Sequence, residues 1–399
     1  MVRSVKGSES LVQFFICITL VRLWIGFEPL AVDSCCFSVS EKAQKEVRSW
    51  QIKDIKNRIG YRLRRTGTMG KGSWRRTIVK LLVFFILFYI VEIAVFWLFG
   101  TEISSWSRKI LNQMYREEKI EIGVIGGSQV LYGVSPSVIE DRTGKSAVNL
   151  TSSQQPLTAA NAILQETAKH HPEMKDVYVS LDYSLVMAEE VNLESIYMVA
   201  DAMPLSCNKL RYLLHATPQE YYLNSLLPLR KGESYSLSGD LIRQNLAVLS
   251  DRNYRFHSSV GGFAAHEGMD AESFIALQKE YGQKKETLPE NNGKVILPER
   301  SEWAIRDMEA FCSKNGIRLT FFATPVPQFV TDSVENYEGY VQAVKELLAD
   351  CNSEYVDYNL TAFDREDPAC YNDDFHLSEK GAAAFTKELC DLIAAGSGG

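Results

Sequence analysis

Three residue types that together perform acyl transfer lie in two short motifs at opposite ends of the chain. The first motif, residues 122–128, is an apolar run, Ile-Gly-Val-Ile, followed by two glycines and Ser128. In the second motif, Asp373 precedes His376 by three residues. A serine nucleophile, a histidine base and an aspartate that orients the histidine make a catalytic triad. The two motifs form one site if the fold brings them together.

The pattern between the motifs predicts strands and helices in alternation. We predict strands at 120–125, 147–150, 176–181, 317–323 and 354–358, and helices at 136–141, 157–169, 303–313, 337–349 and 378–394. Such alternation indicates a doubly wound, flavodoxin-like α/β fold with a parallel sheet of about five strands. Ligands in these folds bind at the carboxyl ends of the strands. Ser128 and His376 each follow a predicted strand, so we expect them on the same rim.

The alternation is lost between about residues 184 and 298, which we interpret as a mostly helical or irregular insertion. Tyrosines and arginines accumulate there, and Gly261-Gly262 marks a turn. Two interpretations stay open: the insertion contributes substrate contacts at the active rim, or it is a cap that only covers the sheet. His257 and His266 lie in it, either as ordinary loop histidines or as substrate contacts.

The two motifs resemble the first and last sequence blocks of the SGNH (GDSL-like) hydrolase superfamily. Gly126-Gly127-Ser128 matches the first block, with Gly127 where aspartate is commonest, and Asp373 and His376 match the last. The resemblance covers roughly residues 120–395. It implies that Ser128 is the nucleophile, that His376 is the general base and that Asp373 holds the histidine, with no metal and no organic cofactor.

The middle blocks of the family are less well matched. Asn149-Leu-Thr-Ser-Ser-Gln-Gln stands where the family supplies a backbone amide to the oxyanion hole, so Ser152 or Ser153 would join the amide of Ser128. The third block, Gly-x-Asn-Asp, is replaced by Leu-Asp-Tyr-Ser at 181–184. Asp374 is the alternative to Asp373, although the spacing of three residues favours Asp373.

A membrane segment is predicted before the α/β domain. Residues 78–99 are apolar except for Lys80 and Glu92, and 22 residues of helix span roughly 33 Å, enough for a bilayer core. A buried core helix is the alternative interpretation. Basic residues precede the segment, which places the N-terminus in the cytoplasm and residues 101–399 outside the cell.

The remaining divisions follow from composition. We treat 1–68 as an N-terminal extension outside the fold, 69–77 as a basic cytoplasmic tail, 100–119 as a stalk and 120–396 as the catalytic domain.

Residues 1–76 carry a formal charge of +9, so the rest of the −7 chain carries −16, which argues against nucleic acid as a partner. Five cysteines after residue 200 allow up to two disulfides, without zinc-ligand spacing.

The sequence therefore predicts a membrane-anchored, extracytoplasmic serine acyl-esterase or acyltransferase that acts on cell-surface polysaccharide. It is similar to the membrane-anchored branch that includes the D-alanyl transfer protein of lipoteichoic acid and polysaccharide O-acetylation partners. That similarity implies a glycan or teichoic-acid-like polymer as substrate and a membrane-bound O-acyltransferase as partner. Two alternatives remain: a catalytically silent glycan-binding or envelope-scaffold domain, and a lipid esterase.

Overall fold

The computed structural model describes residues 71–188, 192–227, 235–250 and 261–396. The predicted extension 1–68 and His257 lie outside these residues. The chain divides into one unit that ends at Leu81 and a second from Leu82 to Gly399. Helix α1, Lys71–Phe99, begins in the first unit, and its part Arg76–Phe99 is long and apolar enough to cross a membrane.

Five parallel strands form the central sheet of the second unit. They are β1 (Ile122–Gly126), β2 (Ala147–Thr151), β3 (Asp176–Ser180), β4 (Arg318–Ala323) and β5 (Glu354–Asp357), in the order β2-β1-β3-β4-β5. Every residue of β1, β2 and β3 is buried, as expected for a parallel sheet covered on both faces. This order is the flavodoxin-like one, and the predicted fold class is confirmed.

Helices flank the sheet, and they fall into three groups along the chain. Those before the insertion are α2 (Trp106–Leu111), α3 (Gln113–Arg116), α4 (Ser128–Gly133), α5 (Pro136–Thr143), α6 (Leu157–His170) and α7 (Tyr183–Val186). Those of the insertion are α8 (Leu193–Ala202), α9 (Cys207–Ala216), α10 (Tyr222–Leu226), α11 (Gly239–Ser250) and α12 (Ala271–Tyr281). The last are α13 (Glu299–Asn315), α14 (Gln328–Asp332), α15 (Tyr337–Leu348) and α16 (Glu379–Gly396). Helix α16 packs on α4 and α5, whereas α6 packs on α13.

Residues 100–119 differ from the predicted stalk. They form a 3-10 turn, Thr101–Ser104, followed by α2 and α3, and α2 packs against β2 and α8. The side chains of Ile110, Leu111 and Met114 are fully buried. This segment belongs to the domain because its apolar side chains cover the β2 edge of the sheet.

The described part of the insertion is mostly helical, as predicted, and its polar segment 283–293 contains short strands. Glu286–Thr287 pairs with Val334–Glu335, and Glu290–Asn291 forms a hairpin with Lys294–Val295. Asn292 and Gly293 have φ of 52° and 76°, which suits a two-residue hairpin turn. The five cysteines after residue 200, which would allow up to two disulfides, are all free.

Candidate active site

The turn between β1 and α4 places Ser128 at the carboxyl rim of the sheet. A Cβ on Gly126 would lie 2.4 Å from Val130 Cγ2, so α4 can approach the strand only because this residue is glycine. A Cβ on Gly127 would lie 2.9 Å from Leu185 Cδ1. The space that an aspartate would need at position 127 is therefore filled by an apolar side chain of α7.

The loop between β5 and α16 presents His376 by wrapping around Asp373. Oδ1 of Asp373 accepts the backbone N–H groups of Phe375 and His376, both at 2.8 Å. Tyr371 and Leu377 form an antiparallel bridge that closes the loop on either side of these residues. The carboxylate thus shapes the turn that carries the histidine.

The structure brings the three predicted triad side chains together. His376 Nδ1 lies 2.7 Å from Asp373 Oδ2, and His376 Nε2 lies 2.8 Å from Ser128 Oγ, 248 residues away in the chain. The alternative carboxylate, Asp374, accepts a hydrogen bond of 2.6 Å from the Tyr281 hydroxyl. Asp374 therefore binds a side chain of the insertion, whereas Asp373 binds the imidazole of His376.

The electrostatics of Asp373 favour its charged form. Burial opposes ionisation, but hydrogen bonds from the His376 ring and from the backbone N–H groups of Phe375 and His376 outweigh it and hold the pKa of Asp373 below its ordinary value. A carboxylate that stays ionised keeps the proton of the imidazole on Nδ1. It leaves Nε2 free to accept the proton of Ser128.

Tyr132, which the sequence analysis did not single out, packs against the imidazole. It lies one helical turn after Ser128, and its ring meets the His376 ring edge-to-face at 4.9 Å and the His266 ring at 4.5 Å. Burial and the charge of Asp373 raise the pKa of Tyr132. His266 therefore supports the site through Tyr132. The i, i+4 spacing from Ser128 was the available sequence signal.

A cavity of about 560 Å³ opens beside Ser128 and His376. Its walls combine carboxamide and hydroxyl groups with small apolar surfaces, contributed by Gln129, Gln154, Pro156, Ser184, Leu185, Ala188, Asn192 and Phe375. Gln154 has φ of 46°, and its Oε1 accepts a hydrogen bond of 2.5 Å from Asn192 Nδ2. Asn192 stands at the start of the insertion, so the insertion contributes to the wall.

The predicted oxyanion donors Ser152 and Ser153 are not among the described residues that line this cavity. Ser152 is completely buried, and the Ser153 amide donates to Ser107 Oγ at 3.3 Å. The Gln155 amide nitrogen comes closer to the nucleophile turn, 3.8 Å from the place of a Cβ on Gly127. The segment nearest the turn of Ser128 is therefore Gln154–Gln155, because Ser107 of α2 accepts the amide of Ser153.

Residues 181–184, which stand where the resembled family has its third block, have two different roles. Asp182 is buried and accepts hydrogen bonds from Ser180 Oγ at 2.5 Å and from the Thr324 amide at 3.0 Å. It joins the ends of β3 and β4. Ser184 lines the cavity. Among the described residues, no cluster of histidine, cysteine, aspartate and glutamate is arranged to hold a metal ion.

Of the comparisons with known proteins, only the one with solved structures finds matches to this chain. No family model and no curated protein matches it. One matching structure is described as a putative acylhydrolase from Bacteroides fragilis, with 9% identity, a TM-score of 0.34, and coverage of 72% of this chain and 98% of that one. Another is described as a putative platelet activating factor from Streptococcus pneumonia, with 14% identity, a TM-score of 0.31, and coverage of 80% and 99%. Both TM-scores are low, so the chemistry is inferred from this chain's own geometry.

Proposed function

We propose that the protein is a membrane-anchored serine acyl-esterase or acyltransferase that acts on ester-linked acyl groups of cell-surface polysaccharide. The observation that carries the proposal is the continuous hydrogen-bonded chain from Asp373 through His376 to Ser128. Donor and acceptor distances of this size are those of an activated nucleophile. Ser128 and His376 are 248 residues apart in the chain, and a domain that only binds its ligand has no need to bring them into one hydrogen-bonded chain.

The reaction follows from the order of these groups. As Ser128 Oγ attacks the ester carbonyl carbon, His376 Nε2 takes the hydroxyl proton, and the carbonyl π electrons move to the oxygen. Collapse of this tetrahedral intermediate breaks the bond to the alcohol, which receives the proton from His376. The acyl group is now an ester of Ser128. Water or a second hydroxyl then attacks the acyl carbon while His376 Nε2 takes its proton. Collapse of this second tetrahedral intermediate breaks the bond to Ser128 Oγ, which receives that proton, and the acyl group leaves as a carboxylic acid or as a new ester.

The oxyanion of both intermediates needs donors. The backbone amide of Ser128 is one, and the Gln154–Gln155 segment takes the place that the sequence assigned to Ser152 and Ser153. A donor of this type is worth about 3–4 kcal/mol of transition-state stabilisation. Gln129, which is buried beside the nucleophile and lines the cavity, is a side-chain donor within the same wall.

The lining of the cavity supports a neutral, hydroxyl-rich substrate. Of the described residues that line it, His376 is the only one with an ionisable side chain. Carboxamides such as Gln129, Gln154 and Asn192 suit sugar hydroxyls, and Leu185 and Phe375 suit a short acyl chain. A phospholipid headgroup would find no cationic partner in this lining, which makes the lipid esterase the weaker alternative.

The anchor and the topology complete the proposal. Helix α1 has the length and composition of a membrane span, and the positive charges before it favour a cytoplasmic N-terminus. The catalytic domain then lies outside the cell, next to the polymers of the envelope. A membrane-bound O-acyltransferase would supply the acyl group if the reaction is transfer rather than hydrolysis.

A fluorophosphonate probe tests the enzyme directly. The full chain in detergent should be labelled at Ser128, and Ser128→Ala should abolish labelling. Ser153→Ala is the matched control, because it removes a serine near the rim whose side chain is outside the proposed chemistry. A folded protein whose Ser128 never reacts would favour the catalytically silent glycan-binding domain.

Product analysis separates the substrate classes. We expect release of short carboxylic acid from O-acylated polysaccharide, or its transfer to an added glycan, and no release from lysophospholipid vesicles. Fatty acid release from the vesicles with no reaction on the glycan would replace the proposal with the lipid esterase.

A further inference from the structure

Helix α11 of the insertion is attached to the end of α1. Asn245 Nδ2 donates to the backbone carbonyls of Leu98 at 3.2 Å and Gly100 at 2.9 Å. These carbonyls lie where α1 ends and its last turn lacks intrahelical partners. One turn of α11 further on, Val248 is buried in a cluster with Phe96 and Ile103. The last turn of α1 is thus fixed to α11 by side-chain hydrogen bonds and by apolar packing.

The apolar side of α11 is wider than this attachment. At about 100° per residue, Ile242, Leu246 and Leu249 lie directly beside the face that carries Asn245 and Val248. Leu246 and Leu249 remain 46% and 47% exposed, and Leu237, just before the helix, is 82% exposed. Half of the apolar face is therefore packed on α1 and the adjoining half is uncovered.

The opposite side of α11 is polar. Asp240 and Arg243 form an exposed ion pair at 2.7 Å, and Gln244 and Ala247 are exposed beside them. An apolar half and a charged half along twelve residues are typical of a helix at a boundary between water and an apolar medium. Leu246 and Leu249 directly follow Asn245 and Val248, which contact the last turn of α1, and the side chains of Leu87, Ile90 and Val91, two to three turns before that end, are also exposed.

We propose that Leu237, Leu246 and Leu249 insert into the interfacial layer of the same bilayer that α1 spans. This inference rests on the membrane anchor of the proposed function. The occupant is lipid, because the uncovered leucines belong to the helix that is fixed to the last turn of the proposed membrane span, whose own large apolar side chains are exposed between Ile78 and Val91. Trp97, whose ring lies 4.3 Å from the guanidinium carbon of Arg108, marks the same level, since tryptophan favours the membrane interface.

The consequence is a catalytic domain with a fixed orientation. With α1 as the sole membrane contact, this helix and the domain fixed to its last turn could tilt together relative to the bilayer. A second contact beside the span restricts this tilt. The acceptor polymers that the enzyme reaches would then be those at a set height above the membrane.

Site-specific fluorescence tests the contact in the full-length protein. Single cysteines at Leu246 and Leu249 are labelled with NBD in a background where the exposed Cys207 and the N-terminal Cys17, Cys35 and Cys36 are serine. The protein is reconstituted in phosphatidylcholine vesicles with or without doxyl-labelled phosphatidylcholine. Ala247→Cys on the polar side is the matched control, and Leu87→Cys reports on α1 itself. Circular dichroism and melting temperature establish that each variant is folded.

The inference expects blue-shifted emission and strong doxyl quenching at 246, 249 and 87, with neither effect at 247. Quenching at 87 but not at 246 and 249 would overturn the inference while the anchor stands. No quenching at 87 would refute the anchor of the proposed function, and the lipid contact with it. Emission that is blue-shifted at 246 and 249 but insensitive to doxyl lipid would mean that protein covers this face, and would also overturn the inference.

Discussion

Asp182 and Asp373 both follow strands of the central sheet, and their surroundings shift their proton equilibria in opposite directions. Asp373, after β5, accepts two backbone N–H groups and faces an imidazole, and its pKa is lowered. Asp182, after β3, also accepts two hydrogen bonds, from Ser180 and Thr324, yet its pKa is raised to about 6. Burial is the largest influence on both carboxyls, and it prevails only at Asp182.

The difference lies in what each carboxyl faces. Asp373 has a side chain 41% exposed and a partner ring that can carry positive charge. Asp182 is enclosed, its partners are neutral, and the nearby carboxyl of Asp357 opposes its ionisation further. A carboxyl group that follows a strand of this sheet can therefore be favoured either in its charged form or in its neutral form. Solvent access and the charge of the partner decide which.

The largest effect is expected at Asp373. Asp373→Asn should lower the turnover number by about 10⁴, because the amide no longer fixes the tautomer of His376 or stabilises its protonated form. Folding should change little, since the asparagine Oδ1 still accepts the N–H groups of Phe375 and His376. Ester hydrolysis and thermal melting of the same preparation measure both quantities.

Asp374→Asn is the matched control for this loss. It changes the neighbouring carboxylate, which accepts from Tyr281 and not from the imidazole. Turnover should stay within a few-fold of the wild type. Equal losses in the two variants would show that the loop as a whole, and not the contact from Asp373 to His376, sets the rate.

The ionisation of Asp182 should affect the free energy of unfolding and not the turnover number. Its folded pKa of about 6 exceeds the ordinary value of 3.8, so its contribution to folding is complete below pH 3.8 and is lost as the pH rises through 6. The loss amounts to about 3 kcal/mol. Asp182→Asn keeps a neutral partner for both hydrogen bonds and cannot ionise. The unfolding free energy of the variant minus that of the wild type should therefore rise by about 3 kcal/mol as the pH increases from 3.8 to above 6.

Urea unfolding of wild type and variant at a series of pH values measures this difference. Asp357, whose pKa is also raised, repels Asp182 electrostatically, so the difference between the two proteins reports the titration of Asp182 together with its coupling to Asp357. A difference that is flat between pH 4 and 7 would mean that Asp182 is already ionised in the folded protein, and the contrast between the two aspartates would disappear.

Much of this arrangement was predictable because it depends on local patterns. The apolar runs of β1 and β4 locate their strands to within two residues, and the strand ends put Ser128 and His376 on one rim. The spacing of three residues separated Asp373 from Asp374. Each of these inferences needs only the periodicity of the chain and the rule that parallel strands share an edge.

The rest depends on contacts between distant segments. Residues 100–119 read as a polar stalk, yet their buried side chains cover β2, and Ser107 takes the amide that the oxyanion hole was expected to use. Nothing in the local sequence marks Asp182 as enclosed, since its partner Thr324 is 142 residues away. The hydrophobic periodicity of the insertion does not predict that α11 packs on the end of α1.

The smallest effect is expected at Tyr132. This residue contacts the imidazole of His376, the partner of the charged Asp373. Its ring packs edge-to-face on His376 and on His266, so Tyr132→Leu should let the imidazole leave the line between Asp373 and Ser128. We expect a loss of about tenfold in turnover with an almost unchanged KM, since the effect is on alignment and not on substrate contact. Tyr132→Phe keeps the ring and should restore the rate. If the phenylalanine variant loses as much as the leucine variant, the hydroxyl group contributes to the chemistry, and Tyr132 is more than a support for the histidine.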